Sequence, residues 1–128
     1  MKLLLDSHVA IWMLYDDKRL SANAAAALQN EDNELKVSYA TLWELTMKIS
    51  RKGLPLIGSS VLYMMQELTN VDVSLLRIQR NHILALEQLP RLHGDPFDRM
   101  LIAQAAVEGL TLVTADAAMH QYAVPMLW

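Results

Sequence analysis

The sequence predicts an α/β fold in which a mainly parallel sheet is covered by helices on both faces. Three observations carry this expectation. Short apolar runs such as Leu3-Leu4-Leu5 and Leu110 to Thr114 alternate along the chain with longer helical stretches, as parallel strands joined by crossover helices do. The runs are continuously apolar instead of alternating, which suits strands buried on both faces. The chain has 128 residues, 53% of them hydrophobic, enough for one domain that buries roughly two-thirds of its unfolded surface.

The elements follow in order. Leu3-Leu4-Leu5 is the first strand and ends at a polar residue, Asp6. Val9 to Tyr15 is a helix, and the charged stretch Asp16 to Arg19 is a solvated turn. Ser21 can cap a helix over the alanine-rich Ala22 to Leu28, and Asn30 to Asn33 ends it. Leu35 to Tyr39 is the second strand, followed by a helix from about Thr41 to Lys52 that Gly53 stops. Leu54 to Ser60, with Pro55 and Gly58, is a loop, and Val61 to Leu68 is a helix. Val71-Asp72-Val73 is the third strand, and two short helices fill Ser74 to Leu89. After a turn from Pro90 to Gly94 comes a helix from Pro96 to about Glu108, stopped by Gly109. Leu110 to Thr114 and Val124 to Leu127 complete the strands.

Composition narrows the function classes. There is no cysteine, which excludes disulfides and thiolate metal ligation and fits a reducing, cytoplasmic setting. Asp6 and His8 interrupt the opening leucines, and the longest later apolar run, Val9 to Tyr15, has seven residues. A membrane span needs roughly 18 or more, so no membrane association is expected. The formal charge of −3 gives no support to a nucleic-acid partner. It does not exclude one: setting four of the 14 acids aside in a metal site leaves ten against 11 bases.

Four acids stand where an α/β sheet opens to ligands, beyond the carboxyl ends of its strands. Asp6 directly follows the first strand, and Asp116 lies just past Leu112-Val113-Thr114. Glu44 sits in the early turns of the helix after the second strand, and Asp98 in the first turn of the helix before the fourth. Clustered carboxylates repel one another, and a shared divalent cation resolves the conflict. Oxygen donors alone favour a hard ion such as Mg²⁺, with Mn²⁺ as a substitute. Ser7 and Thr114 place hydroxyls beside two of the acids. Each acid also has an ordinary explanation. Asp6 could cap a helix, Glu44 could pair with Lys48 four residues on, and Asp116 could begin a turn. Asp95, Pro96 and Asp98 fit the N-cap, first and third positions of a helix.

Taken together, the acidic segments resemble the PIN domain, and specifically the VapC ribonuclease toxins of type II toxin–antitoxin systems. The matching stretches are Leu3 to His8, Leu42 to Lys48, Gly94 to Ala103 and Leu110 to Asp116, in the family's order, with a similar ending from Tyr122 to Trp128. The Asp95-Pro96-Phe97-Asp98-Arg99 segment is the most specific. The resemblance implies a three-layer α/β/α sandwich over residues 1–128 and a Mg²⁺-dependent endoribonuclease inhibited by a VapB-type antitoxin. It matches Asp6, Glu44, Asp98 and Asp116 to the family's four catalytic acids, with Asp6, Asp98 and Asp116 on the metal. Ser7, Asp95 and Thr114 become supporting residues around them. Relatives associate as homodimers, so a homodimer is expected. Ala115 departs from the family, where many members carry a polar or basic residue.

Other residues carry weaker signals. Lys48, Arg51 and Lys52 form a basic edge near Glu44, and Arg99 adjoins Asp98; Lys48, Arg51 and Arg99 are the candidate RNA contacts. A basic helix end is equally expected from the helix dipole. His8, His82, His93 and His120 lack zinc-type spacing, and His93 stands out only by its nearness to Asp95. Trp12, Trp43, Tyr63, Met64 and Met65 read as core or interface residues, with Tyr63-Met64-Met65 able to line a partner's groove. Three other functions compete. A phosphatase with Asp6 as nucleophile would usually need a second acid where His8 stands. A non-catalytic binding module has no use for four retained acids, and a metal-dependent DNA nuclease would use the same site.

Overall fold

The computed structural model describes residues 1–52 and 60–128. Its elements are β1 (Lys2–Leu5), α1 (Ser7–Tyr15), α2 (Ala22–Gln29), β2 (Glu34–Ser38), α3 (Tyr39–Lys52) and α4 (Val61–Asn70). They continue with β3 (Val73–Leu76), α5 (Arg80–Gln88), α6 (Pro96–Glu108), β4 (Thr111–Val113), a 3₁₀ turn at Met119–Gln121 and β5 (Met126–Leu127). The expected stop at Gly53, the loop from Leu54 to Ser59 and the Lys52 side chain fall outside the described residues. Ser60 is described, and its side chain caps α4 by accepting from the Tyr63 N–H.

The five strands form one sheet in the order β3-β2-β1-β4-β5, and every pairing is parallel. Burial explains why. Leu3, Leu4 and Leu5 are fully buried at its centre, and successive strand residues face opposite sides. Leu3 and Leu5 pack with Val9, Ala24, Leu45, Met64 and Leu68 from the first four helices. Leu4 faces the other way, onto Ile102, Ala105 and Met119. One strand thus serves two cores, and the result is a three-layer α/β/α sandwich.

Sequence expectations fail at a few boundaries. The third strand begins at Val73 and runs to Leu76, because Asp72 adopts a left-handed conformation (φ 61°) and makes a turn where a strand was expected. That leaves room for one helix, α5, before Leu89. Tyr39 belongs to α3: the buried Ser38 hydroxyl accepts the Ala40 N–H at 3.0 Å and turns the chain one residue early. Met64 is a core residue, so the partner-facing role expected for the Tyr63-Met64-Met65 stretch does not extend to it.

α5 is tied to α6 by a polar pair whose histidine is buried and whose glutamate reaches the surface. His82 is fully buried, its Nδ1 accepts the Gln79 N–H at 3.0 Å, and its Nε2 meets Glu108 Oε1 at 2.7 Å. Gly109 then ends α6 in the left-handed region (φ 66°), where glycine carries no steric penalty.

Candidate active site

Strand order reverses between β1 and β4: β2 and β3 extend the sheet on one side, β4 and β5 on the other. Ligands bind at such a switch point, beyond the strand ends. Asp6 leaves β1 there, its backbone N–H bonded to the Val113 carbonyl of β4 at 3.2 Å. Its side chain caps α1, accepting from the Val9 N–H at 2.9 Å, and the Thr114 hydroxyl also bonds it. Capping and a site role are therefore compatible. Burial pushes the Asp6 carboxyl above the usual range; these hydrogen bonds and His8 pull it down, and the charge of Asp116 pushes it up. Ser7 is buried beside it.

Asp98 is the most perturbed acid. Asp95 caps α6 as its spacing predicts, accepting from Phe97 N and Asp98 N at 2.9 and 3.1 Å. Burial and then the charge of Asp95 push the Asp98 carboxyl up to about 6. Glu44 and Asp116 add to the rise, and the hydrogen bond from His93 opposes it. These influences link Asp98 to Asp95, Glu44 and Asp116, and Asp116 to Asp6, in one electrostatic cluster. Glu44 is buried, and its Oε2 lies 3.3 Å from Lys48 Nζ, so this pair is not the exposed helix-surface pair that spacing alone suggests. Asp116 is exposed, and its Oδ1 accepts the Ala118 N–H at 2.9 Å in a turn. Among the described residues no three His, Asp or Glu side chains lie close enough to hold a metal by themselves.

Arg51 is exposed and Lys48 partly so, leaving both reachable by a phosphate. Arg99 is not. Its side chain is buried and donates to the Leu89 and Pro90 carbonyls at 3.2 and 2.8 Å and to Tyr122 Oη at 3.0 Å. The expected RNA contact at Arg99 is thus corrected to an internal clamp. Of the two places expected for Trp43, core or interface, the structure excludes the core. The residue is 59% exposed beside Glu44, and its ring meets that of Phe97, the neighbour of Asp98, in a T-shaped contact at 5.0 Å. Sequence reasoning missed the group of His93, Arg99 and Tyr122; the only signal was the closeness of His93 to the acidic motif.

The PIN domain family model matches residues 3–125. A protein named Ribonuclease VapC22, from Mycobacterium tuberculosis, is 33% identical over 123 residues, 95% of this chain and 92% of its own length. The chain belongs to the PIN domain family, as a VapC-type member. Two solved structures share the fold of this VapC-type PIN domain. VapBC2 of Rickettsia felis, bound to a promoter DNA fragment, superposes with a TM-score of 0.70 at 14% identity, covering 98% of this chain and 97% of that one. VapC20 of Mycobacterium tuberculosis, described as a toxin cleaving the sarcin–ricin loop, gives 0.67 at 14% identity over 95% of each chain. Among the described residues no helix is long and apolar enough to cross a membrane.

Proposed function

We propose that this VapC-type PIN domain is a metal-dependent endoribonuclease, the toxin of a toxin–antitoxin pair, restrained by a VapB-type antitoxin. The observation that carries the reading is the gathering of carboxylates at the switch point of the sheet: Asp6 and Glu44 are buried there, and Asp95, Glu44 and Asp116 all act on Asp98. Such a cluster has an unmet need for positive charge. The donor set is all oxygen, which suits Mg²⁺. That ion is held through one or two carboxylates with water and phosphate completing its shell, so a closed set of three protein ligands is not required. Asp6, Asp98 and Asp116 would hold the cation, which supplies charge to the phosphate and to the attacking water. Glu44 orients that water and takes its proton, and Lys48 and Arg51 receive flanking phosphates. Water would add to phosphorus as its proton passes to Glu44, the bond to the 3′-oxygen would break with that oxygen taking a proton from solvent, and the products would carry a 5′-phosphate and a 3′-hydroxyl.

Cleavage of RNA, run beside DNA of the same sequence, is expected to need Mg²⁺ or Mn²⁺, to stop with chelator and to leave those ends. Ends bearing 2′,3′-cyclic phosphate, made without metal, would overturn the reading.

Trp43 extends the site toward the base. An exposed indole held by Phe97 offers a face on which a nucleobase can stack, an interaction worth about 1–3 kcal/mol. Trp43→Ala is expected to raise the KM for RNA by about tenfold with little change in kcat; an unchanged KM would remove the assignment. The exposed Leu62 and Tyr63 of α4 and Ile83 and Leu84 of α5 provide apolar surface for the antitoxin and for a second copy in a homodimer.

A further inference from the structure

The Asp98 carboxylate is held by a hydrogen-bond chain whose polarity follows from its members. Tyr122 Oη accepts the backbone N–H of His93 at 3.2 Å and a guanidinium N–H of Arg99 at 3.0 Å. Neither group can accept in return. With both lone pairs of the hydroxyl engaged, its one proton is directed to His93 Nδ1, 2.8 Å away. Nδ1 is then the acceptor of the neutral ring, and the ring proton sits on Nε2, 3.2 Å from Asp98 Oδ2. Arg99, always protonated and fixed by two backbone carbonyls, sets the direction of the whole chain. The Tyr122 and His93 rings also pack in a T-shaped contact at 5.3 Å. Asp6 is held differently, by the Val9 N–H and the Thr114 hydroxyl, and Asp116 by the Ala118 N–H of its own turn.

We propose that His93 and Tyr122 are positioning residues of the nuclease site. They hold Asp98 by Oδ2 in one orientation and leave Oδ1 as the oxygen offered to a divalent cation. The proposal rests on the ribonuclease reading above. Its physical basis is general: outer hydrogen bonds orient a ligating carboxylate, and their loss typically lowers metal affinity or activity about 10–100-fold.

The test begins with the imidazole itself. Nitrogen NMR of the metal-free protein is expected to find His93 protonated at Nε2 and bare at Nδ1, and Tyr122→Phe is expected to turn this into a mixture of tautomers. Mn²⁺ binding, titrated without RNA, is expected to weaken about 10–100-fold in His93→Leu. In His93→Gln, whose amide still offers an N–H to Asp98, it should stay within a few-fold of the native protein. With RNA, kcat should fall more than KM rises. If His93→Leu does not fold, the near-isosteric Tyr122→Phe carries the same comparison. A native His93 protonated at Nδ1, or native Mn²⁺ affinity in both His93→Leu and Tyr122→Phe, would overturn the proposal. Failure of the ribonuclease reading would look different: Mn²⁺ bound and the tautomer as expected, but RNA left intact.

Discussion

Asp98→Asn is expected to lower RNA cleavage by a factor on the order of 10²–10³ or more while raising the melting temperature of the metal-free protein at neutral pH. The first effect follows from the role proposed for the Asp98 charge in holding the cation. The second follows from the raised carboxyl. Its ordinary value is 3.8, and in the fold it is pushed to about 6 by burial and by Asp95, Glu44 and Asp116. Between those values the folded state retains a proton that the unfolded chain has lost, so stability falls as pH rises from about 3.8 to about 6 and stays lower above. Asparagine never ionises and escapes that loss. A shift of this size corresponds to roughly 3 kcal/mol at most, and solvent screening reduces it to about 1–2 kcal/mol. In chelator, thermal melts should therefore favour the variant at pH 7–8 and converge with the native protein near pH 4. Full cleavage by the variant would remove Asp98 from the site. A melt lower than native at pH 8 would contradict the electrostatic account.

The second large effect is expected at Arg99, on stability and not on substrate binding. Arg99→Met leaves the Leu89 and Pro90 carbonyls and the Tyr122 hydroxyl without their shared donor. Removing one charged member of a buried hydrogen-bonded group costs about 3 kcal/mol, or roughly 10 °C in melting temperature for a domain of this size. RNA affinity measured without metal should change less than twofold, whereas Arg51→Ala should weaken it. A variant that melts like the native protein and binds RNA poorly would restore the role first expected for this residue.

That reversal marks what a sequence can carry. Asp6 and Asp116 were legible because a strand end is a place, and the apolar runs before them locate it. Arg99 was not: it adjoins Asp98, but neighbours on a helix point about 100° apart, and nothing in the order of residues tells which one turns inward. The third strand was misplaced because Val71-Asp72-Val73 alternates like a strand, while the left-handed turn at Asp72 depends on α4 ending against β3. His93 and Tyr122 lie 29 residues apart and meet only through the tertiary fold. Trp43 was expected in the core or at an interface; its exposure follows from α3 burying the face that carries Leu42 and Leu45.

The strand order has a consequence for when, during synthesis, the site can exist. β1 precedes the other four strands in the sequence, yet it is completed by β4, the fourth of the five, through the register Leu5↔Val113. Contacts so distant in sequence form late, because the intervening loop must close first. A growing chain carries Asp6, Glu44 and Asp98 well before Thr114 and Asp116 are translated. Three of the four acids thus wait in an unfinished sheet, with the Thr114 hydroxyl not yet on Asp6 and the end of β1 open on one side. Assembly of the site therefore waits on β4, and a chain that carries only the segments before Thr111 has three of the four acids but no finished strand edge to hold them.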